Sequence, residues 1–196
     1  MSNEANKKSN RRKFIWILVL LFSPVVISYT LFFMGYRPGS INYGDLIEIQ
    51  KLSGEGVTQD TNIIFRMKDL RGKWIMLTVD SGECGEACDT KLYYMRQVRT
   101  MQNREKDRIE RLWLIDNNAQ VSPEILEKYE GTVFVNAKDS ELLNQIPTRE
   151  TQRKHIYLVD PIGNLMMRFP EELEPRKMSD DIKRLLEVSQ LEHERH

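Results

Sequence analysis

The sequence has no Walker loop, no dinucleotide-binding fingerprint and no Ser-His-Asp set, so nothing in it points to nucleotide chemistry or to a hydrolase. It has no internal repeat and no low-complexity segment. Soft donors are scarce: 196 residues hold two cysteines and three histidines. An excess of positive charge is also missing. The 29 basic residues balance 29 acidic ones, and five of the basic residues, against one acid, lie within the first 13 positions. The remainder is therefore acidic, near −4, which argues against a nucleic-acid binder, since that would need a basic face. Length alone suggests one folded domain.

One long uncharged run is present. Phe14 to Met34 carries no charge, and Lys7, Lys8, Arg11, Arg12 and Lys13 stand before it against Glu4 alone. At ~1.5 Å per residue it would cross the ~30 Å hydrocarbon core of a bilayer as a helix. Pro24, after Ser23, is tolerated in such helices. A cleaved signal peptide is the alternative, but its apolar region usually has only about 7–15 residues and ends at a small-x-small site, whereas this run is longer and ends in FFMGYRP. The charge bias then predicts a cytoplasmic N-terminus and an exported remainder. The expected organisation is a basic tail (1–13), an anchor in membrane lipid (14–34), a stalk (35–44), a folded domain (45–190) and a polar tail (191–196). An exported location permits disulfides.

Within the domain, strands are expected at Asp45–Leu52, Ile63–Met67, Trp74–Asp80, Arg111–Asp116, Thr132–Ala137, His155–Asp160 and Asn164–Phe169. Leu92, Met95, Val98 and Met101 recur three apart and predict a helix over Thr90–Gln102. Ser122 and Pro123 read as the cap and first residue of a short helix, and DSELLNQI as a helical turn or two. Ser179 is the expected cap of a last helix with Ile182, Leu185 and Leu186 on its apolar face. Pro161 and Gly163 supply a tight turn between the last two strands. Strand–helix alternation predicts an α/β fold, a central sheet with helices on both faces. In such folds the reactive group commonly lies past the carboxyl end of a strand, where Cys84 falls after Trp74–Asp80.

Cys84 and Cys88 are separated by three residues, in SGECGEACD. At the first turn of a helix they would share a face, and its free amides would stabilise a thiolate. Gly82 and Gly85 would let the chain bend around Cys84. Glu83 and Glu86 act oppositely, raising a thiol's pKa while favouring approach of a cation. The spacing suits a redox-active disulfide, a clamp for soft Cu(I) or Zn(II), a structural disulfide, or two core thiols, and does not choose among them.

GKWIMLTVDSGECGEACDTKLYYMRQV resembles the active-site segment of the Sco (SenC) family, membrane-anchored thioredoxin-like copper-handling assembly factors of cytochrome c oxidase. Gly72, Lys73, Trp74 to Val79, Cys84, Cys88 and Leu92 match its pattern. HIYLVDPIGNLMMRF resembles its second signature, through Asp160, Pro161 and Gly163. The likeness covers roughly Leu70 to Leu186 and implies a thioredoxin-like sheet, a redox pair and metal ligands at Cys84 and Cys88, Cu(I) as the bound metal, and a respiratory oxidase subunit or its assembly factors as partner. With the anchor and its charge bias, the expected location is the inner (cytoplasmic) membrane, crossed once, with the soluble domain periplasmic or extracytoplasmic. The chain departs from the family twice. Asp89 replaces the proline usual after the second cysteine. The histidine that completes the copper site is replaced by Gln152, leaving His155, two residues before Tyr157, as the nearest substitute. His193 and His196 read as tail residues, and Met95, Met101, Met166 and Met167 as core rather than ligands. No thioredoxin-type cis-proline is evident, Pro147 lying ten residues before Tyr157. Two functions follow: a membrane-tethered thiol- or copper-handling factor for oxidase biogenesis, or an interaction scaffold with a structural disulfide. Whether the chain is an enzyme stays open.

Overall fold

A computed structural model describes residues 2–34, 42–147 and 151–193. The chain divides into two units between Ile41 and Asn42. Most of the expected stalk, 35–41, lies outside the described residues.

The first unit contains helix α1, Ser2–Phe33, in which Arg12–Phe33 is long and apolar enough to cross a membrane. Pro24 has no N–H to give the carbonyl of Leu20, four residues back. Ser23 Oγ donates to that carbonyl instead, at 3.1 Å. Thr30 Oγ1 likewise donates to the Val26 carbonyl, at 2.9 Å. Both hydroxyls are thus bonded inside an uncharged, mainly apolar stretch, as a hydrocarbon environment requires.

The second unit is built on a mixed sheet of β1 (Asp45–Lys51), β2 (Glu55–Thr58), β3 (Ile64–Arg66), β4 (Trp74–Asp80), β5 (Ile109–Ile115), β6 (Thr132–Asn136), β7 (Ile156–Val159) and β8 (Asn164–Arg168). Their spatial order is β1-β8-β7-β4-β5-β6-β2-β3. Strands β4, β5 and β6 run parallel, and the pairs outside them are antiparallel. All seven residues of β4 are buried, because the strand is central and covered on both faces. Its alternation builds two cores. Trp74 and Met76 join α2 (Glu86–Met101) through Cys88, Leu92, Met95 and Val98, and join α5 (Pro175–His193) through Met178, Ile182 and Leu186. Ile75, Leu77 and Val79 face the other way, onto Leu142 and Leu143 of α4 (Glu141–Asn144) and onto Met67. This is the expected thioredoxin-like arrangement of a central sheet with flanking helices.

Several sequence expectations need correction. Strand β2 was not expected: it is short and contains Gly56. A Cβ at Gly56 would stand 2.8 Å from the Asn136 carbonyl oxygen on the neighbouring strand, so the position needs glycine despite its poor strand propensity. Helix α2 starts at Glu86, not Thr90, with Gly85 as its cap. Helix α5 starts at Pro175, where proline's missing N–H costs nothing in a first turn. Ser179 is therefore not a cap. It is buried within the helix, and its Oγ accepts from Gln102 Nε2 at 2.8 Å. Met101, expected in the core stripe, is 42% exposed at the end of α2, while Met95 is fully buried. The short helix α3 (Pro123–Lys128) starts as expected, Ser122 Oγ accepting from the Ile125 amide.

Candidate thiol site

The chain leaves β4 at Asp80 and turns through Ser81–Gly85 before entering α2. The turn is held from several sides. The Ser81 amide donates to Asp80 Oδ1 at 2.8 Å, and the Cys84 amide to the Ser81 carbonyl at 3.1 Å. Asn117, just past the end of β5, accepts from the Gly82 amide at 3.1 Å through Oδ1 and donates to Ser81 Oγ at 2.8 Å through Nδ2. Gly82 lies against Ala119, and a Cβ there would come within 2.8 Å of the Ala119 carbonyl carbon. Its smallness is thus needed for close approach, whereas Gly85 faces open space and serves as the helix cap.

Cys84 and Cys88 are joined as a disulfide, with Cα atoms 5.2 Å apart. Cys84 takes a left-handed backbone conformation, φ 43°, which is uncommon for a residue with a Cβ. It is half-buried at the mouth of the turn, whereas Cys88 is buried among Leu92 and Met95 in the core under α2. The two sulfurs therefore differ in access. Glu83 and Glu86 are exposed beside them.

Four residues that sequence reasoning did not pick out support the turn. Lys91, one turn after Cys88, reaches back to Asp80 with Nζ–Oδ2 at 2.7 Å, donates to the Val79 carbonyl at 3.2 Å, and donates to the Arg153 carbonyl. Burial lowers its pKa from the ordinary lysine value, and the attraction of Asp80 opposes that shift. Arg153 in turn pairs with Asp116 through Nε and Nη2, both at 2.7 Å. This joins the ends of β4, β5 and β7 beneath the cysteines. Asp116 and Arg153 are 37 residues apart in sequence, and Asp80 and Lys91 lie on different elements, so no spacing announces either pair.

Asp89 stands where the family usually has proline. Its carboxylate accepts from Lys128 Nζ at 2.7 and 2.9 Å and from the Tyr129 hydroxyl at 2.7 Å. The Lys128 hydrogen bond is the main cause that lowers its pKa. Asp89 thus fastens the first turn of α2 to the end of α3.

His155 sits just before β7. Its neighbours in alternation, Tyr157 and Val159, belong to the core on the opposite face of the sheet from Cys88. Its ring packs edge-on to Tyr157, and Nδ1 is bonded to the Phe169 carbonyl at 2.9 Å. Burial lowers its pKa, so the neutral ring is favoured. Gln152 is occupied as well, Nε2 donating to the carbonyls of Leu143 and Ile146 at 2.6 and 2.8 Å. Among the described residues no group of three or more His, Cys, Asp and Glu side chains is placed to hold a metal ion. Met167 is buried, and Met166 packs partly buried against the core. Pro147 accepts from the Tyr157 hydroxyl at 3.2 Å through its carbonyl. His193 ends α5, and His196 lies outside the described residues. The arrangement joins the two cysteines, and among the described residues His155 forms no group of three metal-binding side chains with them.

The profile of the transmembrane-like, thioredoxin-like, C-terminal domain family matches residues 74–189. No curated protein matches the sequence. Among solved structures, the chain resembles yeast Sco1, at 16% identity and a TM-score of 0.57, over 76% of this chain and 97% of that one. It resembles copper-bound ScoI of Bradyrhizobium japonicum at 17% identity and a TM-score of 0.54, over 68% of this chain and 98% of that one. A thioredoxin domain of a thiol-disulfide oxidoreductase from Bacteroides vulgatus gives 15% identity and a TM-score of 0.51, over 75% and 99% of the two chains. At these identities the likeness is one of fold.

Proposed function

Since this chain belongs to the transmembrane-like, thioredoxin-like, C-terminal domain family, we propose that it is a membrane-tethered thiol-handling factor whose Cys84–Cys88 pair opens and closes during its work. The observation that carries this reading is the difference in access within one disulfide, Cys84 at the mouth of a braced turn and Cys88 beneath α2. A partner thiolate attacks Cys84 Sγ, a mixed disulfide forms, and Cys88 leaves as a thiolate. A second partner thiol then displaces Cys84. Two electrons and two protons pass from the partner dithiol to this chain, and the reverse sequence oxidises the partner. The free amides in the first turn of α2 favour the departing thiolate.

In the dithiol form the same sulfurs offer a two-coordinate seat for Cu(I) as cargo, a soft ion that accepts low coordination. The donor set stops there. His155 Nδ1 is engaged by the Phe169 carbonyl and Gln152 is tied to backbone carbonyls, so the two cysteines are the ligands of this reading. The partner that fits it is a respiratory oxidase subunit or an assembly factor of cytochrome c oxidase, and the copper cargo is in keeping with the copper-bound Sco proteins that share this fold. The basic residues before the apolar stretch orient the N-terminus to the cytoplasm and the thiols to the outer side of the inner membrane. A membrane-impermeant thiol reagent applied to spheroplasts after mild reduction should label the cysteines without lysis; labelling only after lysis reverses the orientation.

The burial of Cys88 favours a second reading, an interaction scaffold with a permanent disulfide. Redox titration against dithiothreitol separates the two. A reversible two-electron transition in the folded chain supports thiol exchange, and a disulfide that yields only on unfolding supports the scaffold. For copper, anaerobic competition with a Cu(I) chelator should show tight binding lost in both C84S and C88S and kept in H155A. Wild-type affinity equal to that of the double-serine variant removes copper from the proposal.

A further inference from the structure

At the end of the sheet opposite the cysteine turn, three loops close around a cleft of about 290 Å³. One follows β1, one is the 3-10 turn Met67–Leu70 after β3, and one is the turn between β7 and β8. They are bonded to one another. The Leu52 amide donates to the Gly163 carbonyl at 2.9 Å, and the Met67 amide to the Gly54 carbonyl at 3.4 Å. Gln145 clamps Ser53, accepting from its amide at 2.8 Å and donating to its carbonyl at 2.7 Å. The cleft is therefore formed before any ligand arrives.

Its lining is divided. Leu52 and Met67 give a buried apolar floor, and Ile162, 66% exposed, gives an apolar wall. Around them stand Lys51, Arg66, Lys68 and Arg71. Glu55 is the one carboxylate in the lining, and it is bonded to Arg66 Nε at 2.6 Å. Lys51, Lys68 and Arg71 form no ion pair among the described residues. Like charges gathered at a small concavity repel one another and raise the local concentration of anions. The domain as a whole is acidic, so composition does not account for this concentration of positive charge.

We propose that the cleft is a second binding site, for a small phosphate ester. The doubly charged phosphate is held by Lys51, Lys68 and Arg71, and the short apolar group of the ester lies on Leu52, Met67 and Ile162. A dianion matches three clustered cations better than a single carboxylate does, and arginine's planar fork suits phosphate oxygens. An exposed isoleucine beside a buried apolar floor gives the rest of the ligand a place that water fills poorly. The site is separate from the cysteines and does not depend on their chemistry.

The test uses the full chain in phosphatidylcholine nanodiscs, titrated calorimetrically with phenyl phosphate, inorganic phosphate and phenol. Phenyl phosphate should bind at one saturable site, at least about tenfold tighter than either half alone, as expected when charge and apolar contacts act together. K51Q/R71Q should weaken it by at least about tenfold, the scale of one lost charge-assisted hydrogen bond, and K68E should weaken it further. All three residues are exposed, so these substitutions leave the core intact. C84S/C88S should bind as wild type does. Discs containing phosphatidic acid, whose headgroup is a phosphate monoester, identify the source. Loss of phenyl phosphate binding there assigns the site to a lipid headgroup, and its retention assigns it to a soluble ester, the proposal standing in both cases. Binding no tighter than that of inorganic phosphate, or unchanged in K51Q/R71Q and K68E, overturns the proposal and leaves a solvated basic rim.

Discussion

Lys91 and Asp80 form a covered ion pair directly behind the cysteine turn: Nζ stands 2.7 Å from Oδ2, and the side chains are 12% and 13% exposed. Asp80 also accepts from the Ser81 amide, and Lys91 also donates to the Val79 carbonyl. The pair therefore joins the end of β4 to the second turn of α2, and the shape of the thiol turn depends on it. Removing one partner strands the other charge under cover. K91M should lower unfolding free energy by about 3 kcal/mol, and D80N/K91M should recover most of the loss. Urea denaturation of the three proteins measures both quantities. Equal losses in the single and double variants would show that the pair is not coupled.

The same lysine gives a pH dependence. Burial holds the folded pKa of Lys91 below the ordinary 10.5, against the pull of Asp80. Between the folded value and 10.5 the unfolded chain binds the more protons, so the Lys91 contribution to unfolding free energy rises with pH there. Below that window both states are protonated and the contribution is flat. Stability profiles of wild type and K91M on the alkaline side should therefore diverge in slope just under pH 10.5, the wild type rising relative to the variant.

Asp89 behaves in the opposite sense. Its folded pKa is lowered from 3.8, chiefly by the Lys128 hydrogen bond. The stabilisation is fully present above the unfolded value and is lost as pH falls through the folded one. D89N should be less stable than wild type at neutral pH, and the gap should close below about pH 3.8 in thermal melts. The effect is screened, because the carboxylate is 35% exposed, so added salt should narrow the gap as well.

Arg111 supplies a prediction of stabilisation. It lies 4% exposed on β5, where Nη2 donates to the Glu130 carbonyl at 2.6 Å. Its Nε and Nη1 have no hydrogen-bond partner among the described residues. Burial first, and then the charges of Arg99 and Arg96, push its pKa down to about 10. Glu110 attracts it only weakly beside these causes, and a buried cation with unbonded nitrogens costs more than an apolar side chain of similar length. R111M should raise stability by about 1 kcal/mol, despite the lost bond to Glu130. A lower melting temperature for R111M would mean that the guanidinium contributes packing that Met does not replace.

Local patterns explain how much of this was legible in the sequence. Trp74–Val79 is an unbroken β-branched and apolar run closed by Asp80, and the structure keeps the expected bounds Trp74–Asp80 for β4. Ser122 and Pro123 carry their own capping chemistry, and α3 begins there. The start of α5 was misplaced because Ser179 has the chemistry of a cap, but tertiary packing uses its hydroxyl for Gln102. Strand β2 escaped because Gly56 weakens the strand signal, while the need for glycine comes from a neighbouring strand 80 residues away in sequence. At the thiol site the cysteines announce themselves by spacing. The Asp80–Lys91 and Asp116–Arg153 pairs exist only after the sheet has assembled. His155 shows the limit most clearly: its type suits a ligand, but tertiary packing sets its ring edge-on to Tyr157 and bonds Nδ1 to the Phe169 carbonyl.

The asymmetry of the two sulfurs gives the most direct test of the thiol chemistry. In C88S the remaining thiol, Cys84, stands half-buried at the mouth of the turn with no covalent partner. In C84S the remaining thiol, Cys88, is 2% exposed and packed against the core beneath α2. Attack by a reagent or a partner thiolate needs a clear approach to sulfur, so access should dominate the two rates. C88S should react with a maleimide or with a glutathione disulfide at least about 100-fold faster than C84S under native conditions, because reaction of the buried thiol waits on local opening. Denaturant should bring the two rates together, which confirms that burial and not sequence context separates them. Trapping should follow the same rule: C88S should retain a mixed disulfide with its partner, and C84S should retain none. Equal native rates would remove Cys84 as the point of attack, and slow reaction in both variants would return the pair to a permanent structural link.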